Sequence, residues 1–172
     1  MIRRADNRDI EQIMHIVRSA QEALRVLGID QWQDGYPSTE AIAADIEQAV
    51  GYVYCDNDDH VVGYAAIVLT GEEAYSQIAD DAWGTPDDYV VVHRLCVDGA
   101  SRRNGIALKL MQHAANIARR ANIEAFRIDT HRGNIRMLAM LDKLGFEYRG
   151  IVYYTSGERL AFDLNLNTSK MM

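Results

Sequence analysis

The sequence predicts an α/β fold, a mixed and mostly antiparallel sheet with one central parallel strand pair, flanked by helices. Three observations carry this expectation. The apolar residues alternate between strand and helix periodicity in the order β-α-α-β-β-β-α-β-α-β-β. The unit made of strand 89–97, helix 103–121 and strand 124–130 needs a crossover, so its two strands are parallel with a right-handed connection. On either side of that unit, hairpin-type turns make the neighbouring strands antiparallel.

In chain order, Ile2 to Ala5 reads as a short strand. Asp6 or Asn7 then caps a helix whose apolar stripe is Ile10, Ile13, Met14, Val17, Ala20, Leu24 and Leu27, and Gly28 ends it. After the loop Asp30-Gln31-Trp32-Gln33-Asp34-Gly35-Tyr36-Pro37, Ser38 caps a second helix with Ile42, Ile46 and Ala49 on one side, closed by Gly51. A hairpin follows, Tyr52 to Cys55 and Val61 to Leu69, about an Asp56-Asn57-Asp58-Asp59 turn. Segment 70–88 carries Glu72, Glu73, Asp80, Asp81, Asp87 and Asp88, yet also Tyr75, Ile78 and Trp83. A linker has no use for such large apolar groups, so the segment reads as a partly helical excursion. Helix 103–121 presents Ala107, Leu110, Met111, Ala114, Ala118 and Ala121 on one face, and helix 133–144 presents Met137, Met140, Leu141 and Leu144. Strands Phe146–Tyr154 and Arg159–Leu166 close the sheet around Ser156-Gly157-Glu158. One domain is expected over residues 1–166, with a frayed tail at 167–172.

The totals exclude several classes. No apolar run in the 172 residues approaches the roughly 18 of a membrane span, and Met1-Ile2-Arg3-Arg4-Ala5-Asp6 lacks a signal-peptide core. A cytoplasmic location with no membrane partner is expected. A net charge of −7 argues against general nucleic-acid binding. Its distribution is uneven: Arg102, Arg103, Lys109, Arg119, Arg120, Arg127, Arg132 and Arg136 favour an anion, whereas the acids of 70–88 favour a cation. Cys55 and Cys96 lie in predicted strands and read as buried free thiols. His15, His60, His93, His113 and His131 show no i,i+3 or i,i+4 pairing, and with no Cys-x-x-Cys the expected metal site is none.

The stretch Val90 to Ala107 concentrates the chemistry. A β-branched strand runs through Asp98-Gly99-Ala100-Ser101 into Arg102-Arg103-Asn104-Gly105-Ile106-Ala107 and an amphipathic helix. Such a junction aims unpaired backbone N–H groups at one point, two arginines add charge, and Gly105 has no Cβ to keep a ligand's oxygens away. This is a phosphate cradle. It is not a Walker loop, because Ile106 and Ala107 stand where lysine and a hydroxyl residue are needed, and it lacks the glycines of a dinucleotide fingerprint.

The run Arg102 to Ala107 fits Arg/Gln-x-x-Gly-x-Gly/Ala, and a second signature follows at Asn134-Ile135-Arg136-Met137-Leu138-Ala139-Met140-Leu141-Asp142-Lys143-Leu144-Gly145-Phe146. In that order the two resemble motifs A and B of the GNAT superfamily of acetyl-CoA-dependent N-acetyltransferases, a likeness that is tightest over 89–150 and extends over essentially the whole chain. The resemblance implies that the amides of Arg103, Asn104, Gly105, Ile106 and Ala107, with Arg102, hold the pyrophosphate of acetyl-CoA. It implies that the strand around Leu95, Cys96 and Val97 splays from strand 124–130, pairs with pantetheine and supplies an oxyanion-stabilising amide, and that Asn134 binds the pantetheine arm. It also implies a homodimer.

Amine acetylation needs a base for the incoming amine and an acid for the departing thiolate. His93, on the same strand face as Leu95 and Val97, resembles the histidine of serotonin-type N-acetyltransferases and is the first base candidate; His131 is the second. Many family members place an acid tyrosine seven residues after the motif B asparagine, but here that position is Leu141. Tyr153 is the candidate acid taken forward, with Tyr148 and Tyr154 as alternatives. Gln31, Trp32, Gln33 and Tyr36 lie where the family lines its acceptor pocket. The reading is an N-acetyltransferase acting on a primary amine of a small molecule, amino acid derivative or peptide; the alternative, motivated by Leu141, is a non-catalytic acyl-CoA-binding sensor.

Overall fold

In the computed structural model, which describes residues 1–69, 71–79, 82–169 and Met171, Asp6 opens the first helical run. Its carboxylate accepts from the Arg8 N–H at 2.9 Å, while its own N–H donates to Asp9 at 2.8 Å. This capping box starts a single 3-10 turn at Asn7–Asp9 that leads into α1 (Ile10–Val26), behind β1 (Ile2–Arg4). Ser38 caps α2 (Thr39–Glu47) by accepting from the Ala41 N–H at 3.3 Å. The expected stop at Gly51 is corrected: the chain leaves α2 through Gln48 and Ala49, the latter at φ +56°, and Gly51 begins β2 (Gly51–Cys55). The approach there is close, since a Cβ would lie 3.2 Å from the Tyr64 hydroxyl.

The remaining elements are β3 (Val61–Val68), β4 (Tyr89–Val97), α3 (Ile106–Arg120), β5 (Ala125–Thr130), α4 (Ile135–Leu144), β6 (Glu147–Tyr154) and β7 (Gly157–Asn165). α3 starts three residues later than expected because Arg103 and Gly105 both hold positive φ, +69° and +71°, which a right-handed helix cannot pass through. The last hairpin is also tighter than expected, with Tyr154 paired directly to Gly157 across a two-residue loop, Thr155–Ser156. Among the described residues seven strands form one sheet in the order β1-β2-β3-β4-β5-β7-β6. β4 and β5 are parallel, with Tyr89, Val90 and Val91 opposite Ala125, Phe126 and Arg127; the pairs β1–β2, β2–β3, β5–β7 and β6–β7 are antiparallel. The mixed sheet expected from the element order is therefore present.

The chain forms two compact units, residues 1–67 with 92–113 and residues 68–91 with 114–172. In the first, Ile13, Ile16 and Val17 of α1 and Ile42 of α2 pack with Val53, Tyr64 and Cys96 from the strands. Of the expected stripe, Ile13 and Val17 are buried and Ile10, Met14 and Ala20 pack against them, whereas Leu27 is exposed and Ile16, outside the stripe, is buried.

In the second unit Tyr75, Tyr89, Val91, Ala125, Val152 and Ala161 form the core, with Ile78 and Trp83 against them. The acidic excursion supplies Tyr75, carried on a single 3-10 turn at Glu73–Ser76; Asp80 and Asp81 lie outside the described residues. Two buried charges pin it. Asp163, 1% exposed, accepts from Gly84 N–H at 2.8 Å, Thr85 Oγ1 at 3.1 Å and Arg149 Nε at 2.7 Å. Arg127 lies 4.5 Å from the Trp83 ring centre and 4.3 Å from that of Tyr89, and its Nη2 donates to the carbonyls of Thr85 at 2.8 Å and Pro86 at 2.9 Å. A polar segment covers apolar strands here because its backbone groups find buried partners. Arg119 Nη2 donates to Leu166 O at 3.1 Å and to Ser169 Oγ at 3.2 Å, and Met171 is buried. No described helix is long and apolar enough to cross a membrane.

Removing the Asp163 carboxylate takes away the buried acceptor shared by Arg149 Nε, the Gly84 N–H and the Thr85 hydroxyl. Asp163→Ala is expected to lower unfolding free energy by about 3 kcal/mol in urea titrations, and to open residues 82–87 to hydrogen exchange. An unchanged midpoint would show that Arg149 and Gly84 do not depend on it.

Candidate active site

The cradle lies in the first unit. Beyond β4, Asp98 accepts from the N–H groups of Ala100 at 3.0 Å and Ser101 at 3.3 Å, folding a single 3-10 turn at Gly99–Ser101. Its own N–H donates to Val62 O at 3.0 Å, which anchors the turn to β3. The chain then reverses through Arg103 and Gly105, and the Lys109 N–H donates to Gly105 O at 2.9 Å as α3 begins. The N–H groups of Ile106, Ala107 and Leu108 therefore precede the helical hydrogen-bond ladder. A Cβ at Gly105 would meet nothing within 4 Å, so this end of the helix opens to solvent. Among the described residues neither Arg102 nor Arg103 is hydrogen-bonded or ion-paired through its side chain. Arg102, Arg103, Asn104, Gly105, Ile106 and Ala107 are brought together as expected, and backbone donors beside two uncommitted guanidinium groups can take an anionic phosphate ester.

β4 carries a left-handed step. Arg94 sits at φ +56°, and the burial of the strand changes character there, from the wholly buried run Tyr89–Val92 to half-buried His93, Arg94 and Leu95, then buried Cys96 and half-buried Val97. An irregularity of this kind re-aims the groups that follow it. The Arg94 side chain reaches α2: Nε donates to Asp45 Oδ2 at 2.7 Å and Nη2 to Oδ1 at 2.5 Å. Tyr64 donates its hydroxyl to the same Oδ2 at 2.6 Å, and Arg94 Nη1 donates to the Tyr36 hydroxyl. Burial works against the Arg94 charge, but Tyr36 and Asp45 outweigh it and raise its proton affinity. Burial, reinforced by Asp45, also keeps the Tyr64 phenol protonated.

Two other groups on β4 are driven toward neutrality. Burial, with Arg94 adding to it, pushes the His93 imidazole down to about 4. Burial pushes the Cys96 thiol up to about 12, which removes it as a nucleophile at neutral pH.

The loop between α1 and α2 gathers the four expected acceptor residues. Gln33 Nε2 donates to the carbonyls of Gln21 at 3.0 Å and Gln31 at 3.2 Å, and Gln21 Nε2 donates to Tyr36 O at 3.1 Å. Trp32, at φ +67°, packs against the apolar core of this unit. The buried Gln31 Oε1 has no hydrogen-bond partner among the described residues, and Tyr36 is 40% exposed.

In the second unit, Asn134 caps α4 by accepting from the Met137 N–H at 3.3 Å. Leu141, at the place of the family's acid tyrosine, is fully buried. Tyr153 is 58% exposed near the end of β6, opposite Glu158. Its neighbour Tyr154 points elsewhere and donates to Asp129 Oδ2 at 2.9 Å, as does Tyr75 at 2.7 Å; burial raises the Asp129 carboxyl above its ordinary value despite both bonds. A cleft of about 370 Å³ runs past Glu72, Glu73, Ser76, Gln77, Tyr153 and Tyr154. Tyr148 packs edge-on to Phe162, and His131 Nδ1 accepts from the Gly133 N–H at 3.0 Å. In the exposed turn of the first unit, ligand atoms of Asp56, Asp58 and His60 lie within 4.8 Å of one another. The Asp56 carboxylate is engaged there by the N–H groups of Asp58 and His60, both at 2.9 Å, which is turn chemistry.

The sequence reasoning missed Asp45, Arg94 and Tyr64, and the role of Asp129 between two tyrosines. A signal existed for the first two. Asp45 lies on the Ile42 side of α2 and Arg94 inside a β-branched strand, both places where a charge needs a partner.

The acetyltransferase (GNAT) family model matches residues 10–146. Among curated proteins, none matches the chain. Among solved structures, an acetyltransferase of the GNAT family from Streptococcus agalactiae is 32% identical, covering 96% of this chain and 94% of that one with a TM-score of 0.86. A putative acetyltransferase from Staphylococcus aureus is 24% identical over 96% of this chain and 99% of that one, TM-score 0.73. The paiA N-acetyltransferase from Thermoplasma acidophilum, solved in complex with coenzyme A, is 16% identical over 96% and 98% and shares the fold at a TM-score of 0.73. The chain belongs to the GNAT acetyltransferase family, and its activity is acetyl transfer.

His93 gives a pH signature. Its imidazole falls from an ordinary 6.5 to about 4 in the folded state, so folding favours the neutral form. The corresponding stability is complete above pH 6.5 and is lost as the pH falls from there toward 4. His93→Gln is expected to remove this part of the acid slope, about 2–3 kcal/mol, from urea unfolding curves measured across that window. Parallel slopes in wild type and variant would mean that His93 does not titrate this way.

Proposed function

We propose that the chain moves an acetyl group from acetyl-CoA to a primary amine of a small molecule, amino acid derivative or peptide, by direct attack in a ternary complex, within one domain over residues 1–166. The observation that carries the reading is the mouth of α3, where N–H groups precede the helical ladder beside Arg102 and Arg103, neither of which has another partner among the described residues. Bound acetyl-CoA supplies an activated acyl group. Within the first unit, the amides of Arg103 to Ala107 hold the pyrophosphate, and the backbone of Leu95 to Val97, beyond the step at Arg94, donates to the carbonyl oxygen that gains charge. His93, neutral because it is buried, accepts the amine's proton. Cys96 stays protonated and takes no part, which favours direct transfer over an acyl-cysteine route.

Loss of a tyrosine at position 141 does not require a silent sensor, since a thiolate can take its proton from solvent. The amine class follows from the family chemistry, and the loop carrying Gln31, Trp32, Gln33 and Tyr36 is proposed to hold the acceptor.

Calorimetry tests the cradle. Wild-type protein is expected to bind CoA, and Gly105→Val to bind it at least about tenfold more weakly, because a β-branched residue is strained at φ +71° and its side chain occupies the open face. No binding of millimolar CoA by wild type would overturn the reading. Free-thiol release from acetyl-CoA across an amine panel then identifies the acceptor.

A further inference from the structure

We propose that Arg94 and Asp45 are a positioning pair. They tie the loop between α1 and α2, through Tyr36, to the left-handed step in β4, so that the acceptor loop and the β4 amides beyond the step are set together. The inference rests on the acceptor and thioester roles proposed above.

A large side chain at φ +56° inside a strand is strained. Such strain persists only where the surroundings over-determine the conformation. Here they do. Two nitrogens of the guanidinium engage both oxygens of Asp45 at 2.7 and 2.5 Å, which fixes the plane of the fork and not merely its distance. The carboxylate is itself fixed: it is 5% exposed on α2, and Tyr64 from β3 donates to it at 2.6 Å. The third guanidinium nitrogen donates to Tyr36, whose ring lies 5.8 Å from the guanidinium carbon.

Tyr36 is the accessible end of this chain of bonds. Its oxygen accepts from Arg94, so its own O–H proton is left for a second partner at the protein surface. Gln21 holds the Tyr36 carbonyl to α1, so the residue is tethered at both backbone and side chain. Whatever displaces the Tyr36 hydroxyl pulls on Arg94. Arg94 can follow only by changing the step that sets the direction of Leu95, Cys96 and Val97. The lysine variant keeps the charge but loses the fork, so charge and geometry can be separated.

The test is hydrogen–deuterium exchange on the full chain without any ligand, followed by titration with CoA and with acetyl-CoA. Tyr36→Phe removes one hydroxyl from a 40% exposed residue and is expected to leave the melting midpoint within about 2 °C. In the same variant exchange across 92–97 is expected to accelerate about threefold or more. Arg94→Lys is expected to accelerate it further, and the double variant to go no further than Arg94→Lys alone, because the two act through one connection. Arg94→Lys is also expected to keep its CoA affinity within about twofold while losing any preference for acetyl-CoA over CoA. A merely structural loss would weaken both ligands alike. Unchanged exchange at 92–97 in Tyr36→Phe, or fully additive effects in the double variant, overturns the coupling. Since exchange is read without ligand, wild-type protein that fails to bind CoA would overturn the proposed function and leave this coupling to stand or fall on its own.

Discussion

Burial of charge is the constraint on which both compact units depend. In the first, Asp45 pairs with the largely buried Arg94, and in the second the nearly inaccessible Asp163 pairs with Arg149, while Arg127 is buried against Trp83 and Tyr89. Ion pairs of this kind seldom stabilise a fold relative to well-packed apolar residues, because desolvation consumes most of the Coulomb attraction. Their contribution is directional. A guanidinium held by both oxygens of a carboxylate has one allowed orientation, whereas a leucine in the same volume would tolerate several. The strained step at Arg94 and the closure of the acidic excursion over β5 are both conformations that apolar packing alone does not select.

This division of labour explains which parts of the molecule were legible in the sequence. The elements and their order were, because amphipathic period is a local property: Ile13 and Val17 of the α1 stripe are buried as their spacing requires, although the same stripe runs on to Leu27, which is exposed. The loop at the mouth of α3, proposed as a phosphate cradle, was legible for the same reason. It is built almost entirely from backbone and from one glycine, within a run of consecutive residues. What the sequence did not disclose are contacts between charges far apart in the chain. Asp45 and Arg94 are separated by 49 residues, and Asp163 meets Gly84 across 79. Reading Ile42, Ile46 and Ala49 as the buried side of α2 put the emphasis on Ala49, which is exposed, and passed over Asp45, which is not. The number of acids in 70–88 suggests a field for a cation, yet Glu72 turns its carboxylate onto the Ala74 N–H at 3.2 Å and Asp87 pairs with Arg127.

Glycines illustrate the same boundary between local and distant causes. Gly105 and Gly145 act through their own backbone conformation, at φ +71° and +82°, and a reader of the sequence can anticipate both from their place at a helix end. At Gly51 the crowding comes from the Tyr64 ring on another strand, and it becomes visible only when the strands are paired.

The titrating groups near the proposed chemistry share one physical cause, and it bears on how an amine could lose its proton here. Burial drives His93 down, Cys96 up and, in the other unit, Asp129 up; each is pushed toward its uncharged form. An imidazole at about 4 is a poor base toward an ammonium ion in water. The mismatch narrows on desolvation, because a medium that penalises imidazolium penalises an ammonium as well. An acceptor entering this environment gives up its proton more easily than it would in solution. As the proposed base, His93 needs only to accept that proton transiently as the nitrogen becomes positive during attack, and its weak basicity lets it pass the proton on. A buried histidine that looks badly tuned when judged against an aqueous amine is therefore consistent with acetyl transfer in a dry site. A strongly basic group in its place would stay protonated and repel the cation it must receive.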